Sequence, residues 1–140
     1  MAQDVTQMLE NPQQIEAVVS GPGGANRLYI CTGIAPTYAQ ARASEMKETY
    51  LFSVGPVLTP QQFIGATATA GLAQVETWPM AGSTAGPGNN QWRIVSADAD
   101  WDDEGGRVQA RIEVAAAGSA DINAAIAKTG YQVTILAQIT

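Results

Sequence analysis

Alternation of apolar and polar residues runs through much of this chain and is plainest near its C-terminus. In "YQVTILAQIT", Tyr131, Val133, Ile135, Ala137 and Ile139 alternate with Gln132, Thr134, Leu136 and Gln138. That is the period of a strand with one buried face. "TYLFSVGPVL" sets Tyr50, Phe52 and Val54 on one face and Leu51 and Ser53 on the other, and Gly55-Pro56 ends it. "NPQQIEAVVS" is ambiguous. Asn11-Pro12 is a good helix start, yet Ile15, Ala17 and Val19 alternate. The β-rich run "RLYICTGI" follows after Gly-Pro-Gly-Gly, and the two runs read together as a hairpin.

Other segments are less periodic. "DVTQMLE" reads as the start of a short helix with Asp4 as N-cap. "APTYAQARASEMKETY" offers Thr37 as an N-cap and good helix formers up to Lys47, so it reads as a short helix or a loop. "TPQQFIGATATAGLAQVETW" opens with Thr59, Pro60 and Gln62 in a capping-box pattern. Gly65, Thr67, Thr69 and Gly71 then weaken a helix, so a single turn followed by an extended segment is an equal reading, with "AQVETW" as a strand. Residues 80–91 form a Gly-rich loop, long enough to be functional or mobile. "SADINAAIAKTG" reads as a short helix capped by Ser119 or Asp121 and closed by Gly130, or as an irregular crossover.

The stretch "SADADWDDEGGRV" concentrates carboxylates at Asp98, Asp100, Asp102, Asp103 and Glu104. Its spacing fits a hairpin. With the turn centred on Glu104-Gly105, Asp102 faces Arg107, Trp101 faces Val108, Asp100 faces Gln109 and Ala99 faces Ala110. Asp98 then faces Arg111, Ala97 faces Ile112 and Val95 faces Val114. Apolar residues meet apolar ones, and two aspartates meet arginines. Such cross-strand pairs stabilise a hairpin by about 0.2–1 kcal/mol each. Gly105-Gly106 supplies the positive φ of a tight turn. The rival reading is calcium, with Asp98, Asp100 and Asp102 as the weak metal candidates. An EF-hand loop needs Gly at its sixth position and Glu at its twelfth, where this chain has Asp103 and Gln109.

The chain has 140 residues, 46% of them apolar, which suits one globular domain over 1–140. Several short strands between Gly/Pro turns predict a mainly antiparallel β-sandwich with one to three short helices. The alternative is an α+β sheet with helices on one face.

Composition narrows the chemistry. There is no histidine, which removes the commonest general base and metal ligand. Cys31 stands alone in an apolar run and reads as a packing residue. No cofactor or catalytic residue is assigned. Net charge is −6 and the cations are scattered, so neither nucleic acid nor an anionic membrane is an expected partner. "MAQDVTQMLENP" has no basic region followed by an apolar one, which predicts a cytoplasmic protein or one built into a particle assembled there. "SGPGGANR" lacks the Lys-Ser/Thr ending of a phosphate loop.

Charged residues are only 14% of the chain, against roughly 25% in ordinary domains, and Gln, Thr, Ser and Asn replace them. Protein interfaces are depleted in Lys and Glu. The expected function is therefore a non-enzymatic assembly subunit that self-associates, of a phage or virus particle or another homo-oligomer. A small-ligand or carbohydrate-binding module is the first alternative, with Trp78 and Trp92 beside the 80–91 loop as its contact surface. A carboxylate-based enzyme without histidine is the second.

Overall fold

The computed structural model describes residues 2–21, 24–42, 44–79, 90–119 and 122–138. Within them the chain forms eight strands: β1 (Ala2–Asp4), β2 (Glu10–Gly21), β3 (Gly24–Ala41), β4 (Glu45–Val54), β5 (Phe63–Pro79), β6 (Gln91–Asp102), β7 (Arg107–Ala117) and β8 (Ile122–Gln138). They make two four-stranded sheets, ordered β1-β4-β7-β6 and β2-β3-β8-β5. Every pairing is antiparallel except β1 with β4. The expected β-sandwich is present. Its helices reduce to one 3-10 turn, Thr6–Met8, among the described residues, so the α+β alternative does not hold.

The core follows from strand alternation. Tyr50, Phe52 and Val54 of β4 and Val108, Ala110, Ile112 and Val114 of β7 point inward from the first sheet. Tyr29, Cys31 and Ala35 of β3 and Tyr131, Val133, Ile135 and Ala137 of β8 meet them from the second. Phe52 and Tyr131 touch across the sheets at a ring-centroid distance of 4.5 Å.

Three helical readings give way to strands or a turn. At 37–47 the chain continues as β3, turns, and begins β4. Ala35, Thr37, Ala39 and Ala41 are buried in alternation, so small residues filling the space between sheets override helix propensity. At 119–130 the chain is already β8 from Ile122, and the possible Asp121 cap lies outside the described residues. At the N-terminus Asp4 does accept from the Thr6 N–H (2.9 Å), but only the single 3-10 turn follows. The Thr6 side chain first, and this backbone N–H second, hold the Asp4 carboxyl below its ordinary value.

Other readings hold. Ile15 faces Ile30 and Ala17 faces Leu28 in the β2–β3 hairpin; its tip, Pro22-Gly23, lies outside the described residues. The capping box closes in both directions. Gln62 N–H donates to Thr59 Oγ1 (3.3 Å) and Thr59 N–H donates to Gln62 Oε1 (2.9 Å). One turn follows, and then β5.

In the β6–β7 hairpin the pairs from Asp102–Arg107 through Ala97–Ile112 fall as the alternation predicts. Beyond them a bulge at Val95 sets Ile94, not Val95, opposite Val114. The turn uses one positive φ, at Gly106 (+68°), whose N–H donates to the Asp102 carbonyl (2.8 Å).

A polar seam crosses the core where β3 and β8 slip register between Pro36 and Ala39. Pro36 has no N–H for the ladder, and prolines inside sheets sit at such irregularities. The buried Thr37 and Thr129 hydroxyls meet at 2.8 Å, and Tyr50 O–H donates to the Thr37 carbonyl (2.8 Å). Burial, with Glu48 adding its charge, pushes the Tyr50 hydroxyl up to about 12.

Two predictions follow from this packing. Gly106→Ala, at positive φ, lowers stability by about 1–2 kcal/mol. Gly105→Ala, whose new Cβ would meet only Asp102 Oδ2 at 3.5 Å, changes it by a few tenths; urea denaturation separates the two. Tyr50→Phe leaves the Thr37 carbonyl unpaired and costs about 1–3 kcal/mol at neutral pH. The raised Tyr50 value has a second consequence. As pH rises from 10 toward 12, the unfolded chain ionises before the folded one, so stability falls through that window. Tyr50→Phe flattens this alkaline decline, which denaturation at stepped pH measures.

Candidate functional site

Burying one set of alternate residues in the second sheet sends the other set outward. Registered across strands, the outward rows are Ala17, Leu28, Leu136 and Gly65; Ile15, Ile30, Thr134 and Thr67; and Gln13, Thr32, Gln132 and Thr69. Glu10, Ile34, Gly130 and Gly71 form the next row, where the Glu10 carboxylate pairs with Lys128 at 2.8 Å. None of the residues in the first three rows is charged. Four strands at about 4.8 Å and five positions at about 3.3 Å make the uncharged patch on the order of 300 Å² in projection. Gly65, Gly71 and Gly130 keep it flat on the β5 side, where added Cβ atoms would meet little or nothing.

The outer face of the first sheet is different. Lys47, Asp98, Asp100, Arg111 and Glu113 stand there by the same alternation. Charge is thus segregated: one outer face of the sandwich is ionic and the centre of the other is neutral.

The neutral face ends at β2, an edge strand whose residues Asn11 to Gly21 are all exposed. Ile15 is 63% and Val18 61% exposed. Natural edge strands are blunted by shortness, charge, proline, bulges or cover. Strand β1 is three residues long. Strand β5 is broken by register shifts, β6 by the bulge at Val95, and the two lie against each other along their length. On β2, Pro12 and a register shift between Glu10 and Gln13 protect the N-terminal end only. From Gln13 to Gly21 the one charge is Glu16, and it pairs with Arg27 of β3.

The residues singled out from sequence lie elsewhere. Trp78 lines a cleft of about 450 Å³ with Gln40, Arg42, Met46 and Asn123. Trp92 is half-buried against the core, with its indole N–H unpartnered. No cleft described here brings the two together, and residues 80–89 of the loop lie outside the described residues. Trp101 packs inward, as expected, and its Nε1 donates to the Leu58 carbonyl (3.1 Å).

Asp98, Asp100 and Asp102 follow one another at every second position of β6. Their Cα atoms are therefore spaced by roughly 6.5–7 Å. Among the described residues no group of three or more Cys, Asp or Glu converges as a metal site. Asp102 instead braces the turn, accepting from the Glu104 and Gly105 N–H groups (3.5 and 3.3 Å).

A second cleft, about 460 Å³, opens between the sheets beside β2. Its wall includes Gln14, Cys31, Val54, Arg107 and Tyr131. Sequence reasoning gave no signal for it, because its residues come from segments far apart in the chain. Burial pushes the Cys31 thiol up, and the nearby Arg107 charge partly opposes this.

If the acidic stretch is a folding device, its carboxylates are unequal. Asp102→Ala then costs about 0.5–1.5 kcal/mol through the lost turn hydrogen bonds. Asp98→Ala and Asp100→Ala each stay within about 0.5 kcal/mol, and millimolar calcium leaves the melting temperature unchanged. Thermal denaturation with and without calcium checks all three. No helix among the described residues is long and apolar enough to cross a membrane. Compared with known protein families, curated proteins and solved structures, the chain matches none.

Proposed function

We propose that this chain is a non-enzymatic assembly subunit that associates with copies of itself through the outer face of β2-β3-β8-β5 and the adjoining edge of β2. The observation that carries this reading is the three uncharged rows that run across all four strands to the exposed edge of β2. Charged groups are depleted at interface cores because burying them unpaired is costly. An exposed edge with unpaired N–H and C=O groups is a template for another strand. A second copy is the partner that fits both features. Its own β2 is extended, mostly uncharged and apolar on the same face.

An antiparallel approach of two β2 strands centred on Ala17 places Ile15 opposite Val19 and Glu16 opposite Val18. Side chains then stay on matching faces and no like charges meet. A carbohydrate-binding module draws less support. Trp78 lines a cleft, but Trp92 turns toward the core.

Light scattering on a size-exclusion column, from about 1 to 100 μM, tests the proposal. A discrete species larger than the 14.6 kDa chain is expected. Ile15→Lys and Thr67→Lys put charges at the two ends of one neutral row, on exposed side chains, and shift the protein to monomer without loss of thermal stability. A wild-type monomer throughout this range, or oligomers indifferent to both substitutions, overturns it.

A further inference from the structure

The cleft beside β2 has the composition of an anion site. The chain carries a net charge of −6, yet no aspartate or glutamate lines this cleft, and its charged wall residue is Arg107. The guanidinium Nε is held by the Gly55 carbonyl at 2.9 Å. Asp102, which faces Arg107 across the hairpin, spends its oxygens on the turn instead. No ion pair neutralises Arg107 among the described residues. Its terminal nitrogens are left as donors.

Tyr131 supplies an independent sign of a ligand. It is only 5% exposed, and its hydroxyl is buried without a hydrogen-bond partner. The side chain leans from β8 across Gly33 of β3, toward β2. A Cβ on Gly33 would lie 2.5 Å from the hydroxyl oxygen and 2.8–2.9 Å from ring atoms. Only glycine leaves that path open, and its end is the cleft wall. A buried hydroxyl without a partner has given up its hydrogen bonds to water, a deficit that a bound acceptor removes.

Gln14 adds a third donor. The Cys31 thiol points its hydrogen at Gln14 Oε1 (3.8 Å), which leaves the amide nitrogen free. Leu9, Pro12 and Val54 complete the wall with apolar surface.

We propose that this cleft binds a small organic carboxylate, with its –COO⁻ held by Arg107, the Tyr131 hydroxyl and the Gln14 amide, and its carbon skeleton against Leu9, Pro12 and Val54. The planar guanidinium matches the two oxygens of a carboxylate. One cation balances one negative charge, and the apolar wall suits a hydrocarbon body better than a phosphate dianion. The volume lies within the roughly 300–1,000 Å³ of small-molecule sites.

Benzoate is the probe, with benzamide as its neutral isostere and inorganic phosphate as the competing anion, measured by isothermal titration calorimetry on the full chain. Benzoate binds saturably with one site per chain. Benzamide and phosphate bind at least about tenfold more weakly, as the loss of a charge-assisted hydrogen bond or of apolar contact requires. Arg107→Gln weakens benzoate by at least about tenfold, and Tyr131→Phe by about threefold or more while keeping its ring packing. Failure of benzoate to saturate, equal binding of benzamide, tighter binding of phosphate, or indifference to Arg107→Gln overturns the proposal. Should Arg107→Gln fail to fold, amide chemical shifts of the wild-type protein decide. Benzoate must perturb Gln14, Gly55 and Arg107, and shifts confined elsewhere overturn the proposal.

Discussion

The parity of β8 is the constraint on which the rest depends. It is the strand that pairs along its length with both β3 and β5, and its odd-numbered residues Tyr131, Val133, Ile135 and Ala137 are buried against the first sheet. A strand has period two, so committing these residues inward commits Gly130, Gln132, Thr134 and Leu136 outward. Hydrogen bonding then propagates that parity to β3, β5 and β2. The neutral outer face and the inward lean of Tyr131 toward the cleft are two consequences of the same register. A slip by one residue would put Gln132 and Thr134 into the core and destroy both.

The sequence was most legible where polarity itself alternates. Tyr131 to Gln138, "TYLFSVGP" and the acidic hairpin each carry apolar residues at every second position, and their faces are as expected; Ile139 lies outside the described residues. In the hairpin the pairing reads correctly until Val95, where the bulge inserts a residue that no polarity pattern announces. Two stretches misled for one physical reason. Around 35–41 and 124–127 the inward positions are largely alanine, with Thr37 and Ile126 among them. Alanine is the best helix former and a weak marker of burial, so local propensity favoured helix. The space left between two sheets, which only tertiary packing defines, decided for strand.

The candidate site was legible in composition and hidden in arrangement. Scarcity of Lys and of charge overall, with abundant Gln and Thr, suggested a surface made for contact, and its place in the fold was set by register alone. The neutral face draws its rows from β2, β3, β8 and β5, segments separated by most of the chain, and only their register aligns the uncharged positions. Tryptophans drew attention to 78 and 92 by residue type alone. Their partial burial instead follows from strand positions at one end of the sandwich, where Trp78 pairs with Asn123 and Trp92 with Ala116. The cleft depended on packing between layers, since Arg107 and Tyr131 lie on different sheets.

Segregation of charge also bears on how a net charge of −6 coexists with the proposed self-association. Two copies stacked through their neutral faces would hold their ionic faces on opposite outer sides. With sheets packed about 10 Å apart, four stacked sheets separate those outer faces by roughly 30 Å. At physiological ionic strength the screening length is about 8 Å, so the like charges are several screening lengths apart and repel little. Stacking through the first sheet would instead bury Lys47, Asp98, Asp100, Arg111 and Glu113 of two copies against one another, and charged groups buried without matched partners are costly. In the proposed assembly, charge would therefore favour the neutral face for contact and leave the ionic face, with the acidic hairpin registered on β7, toward solvent.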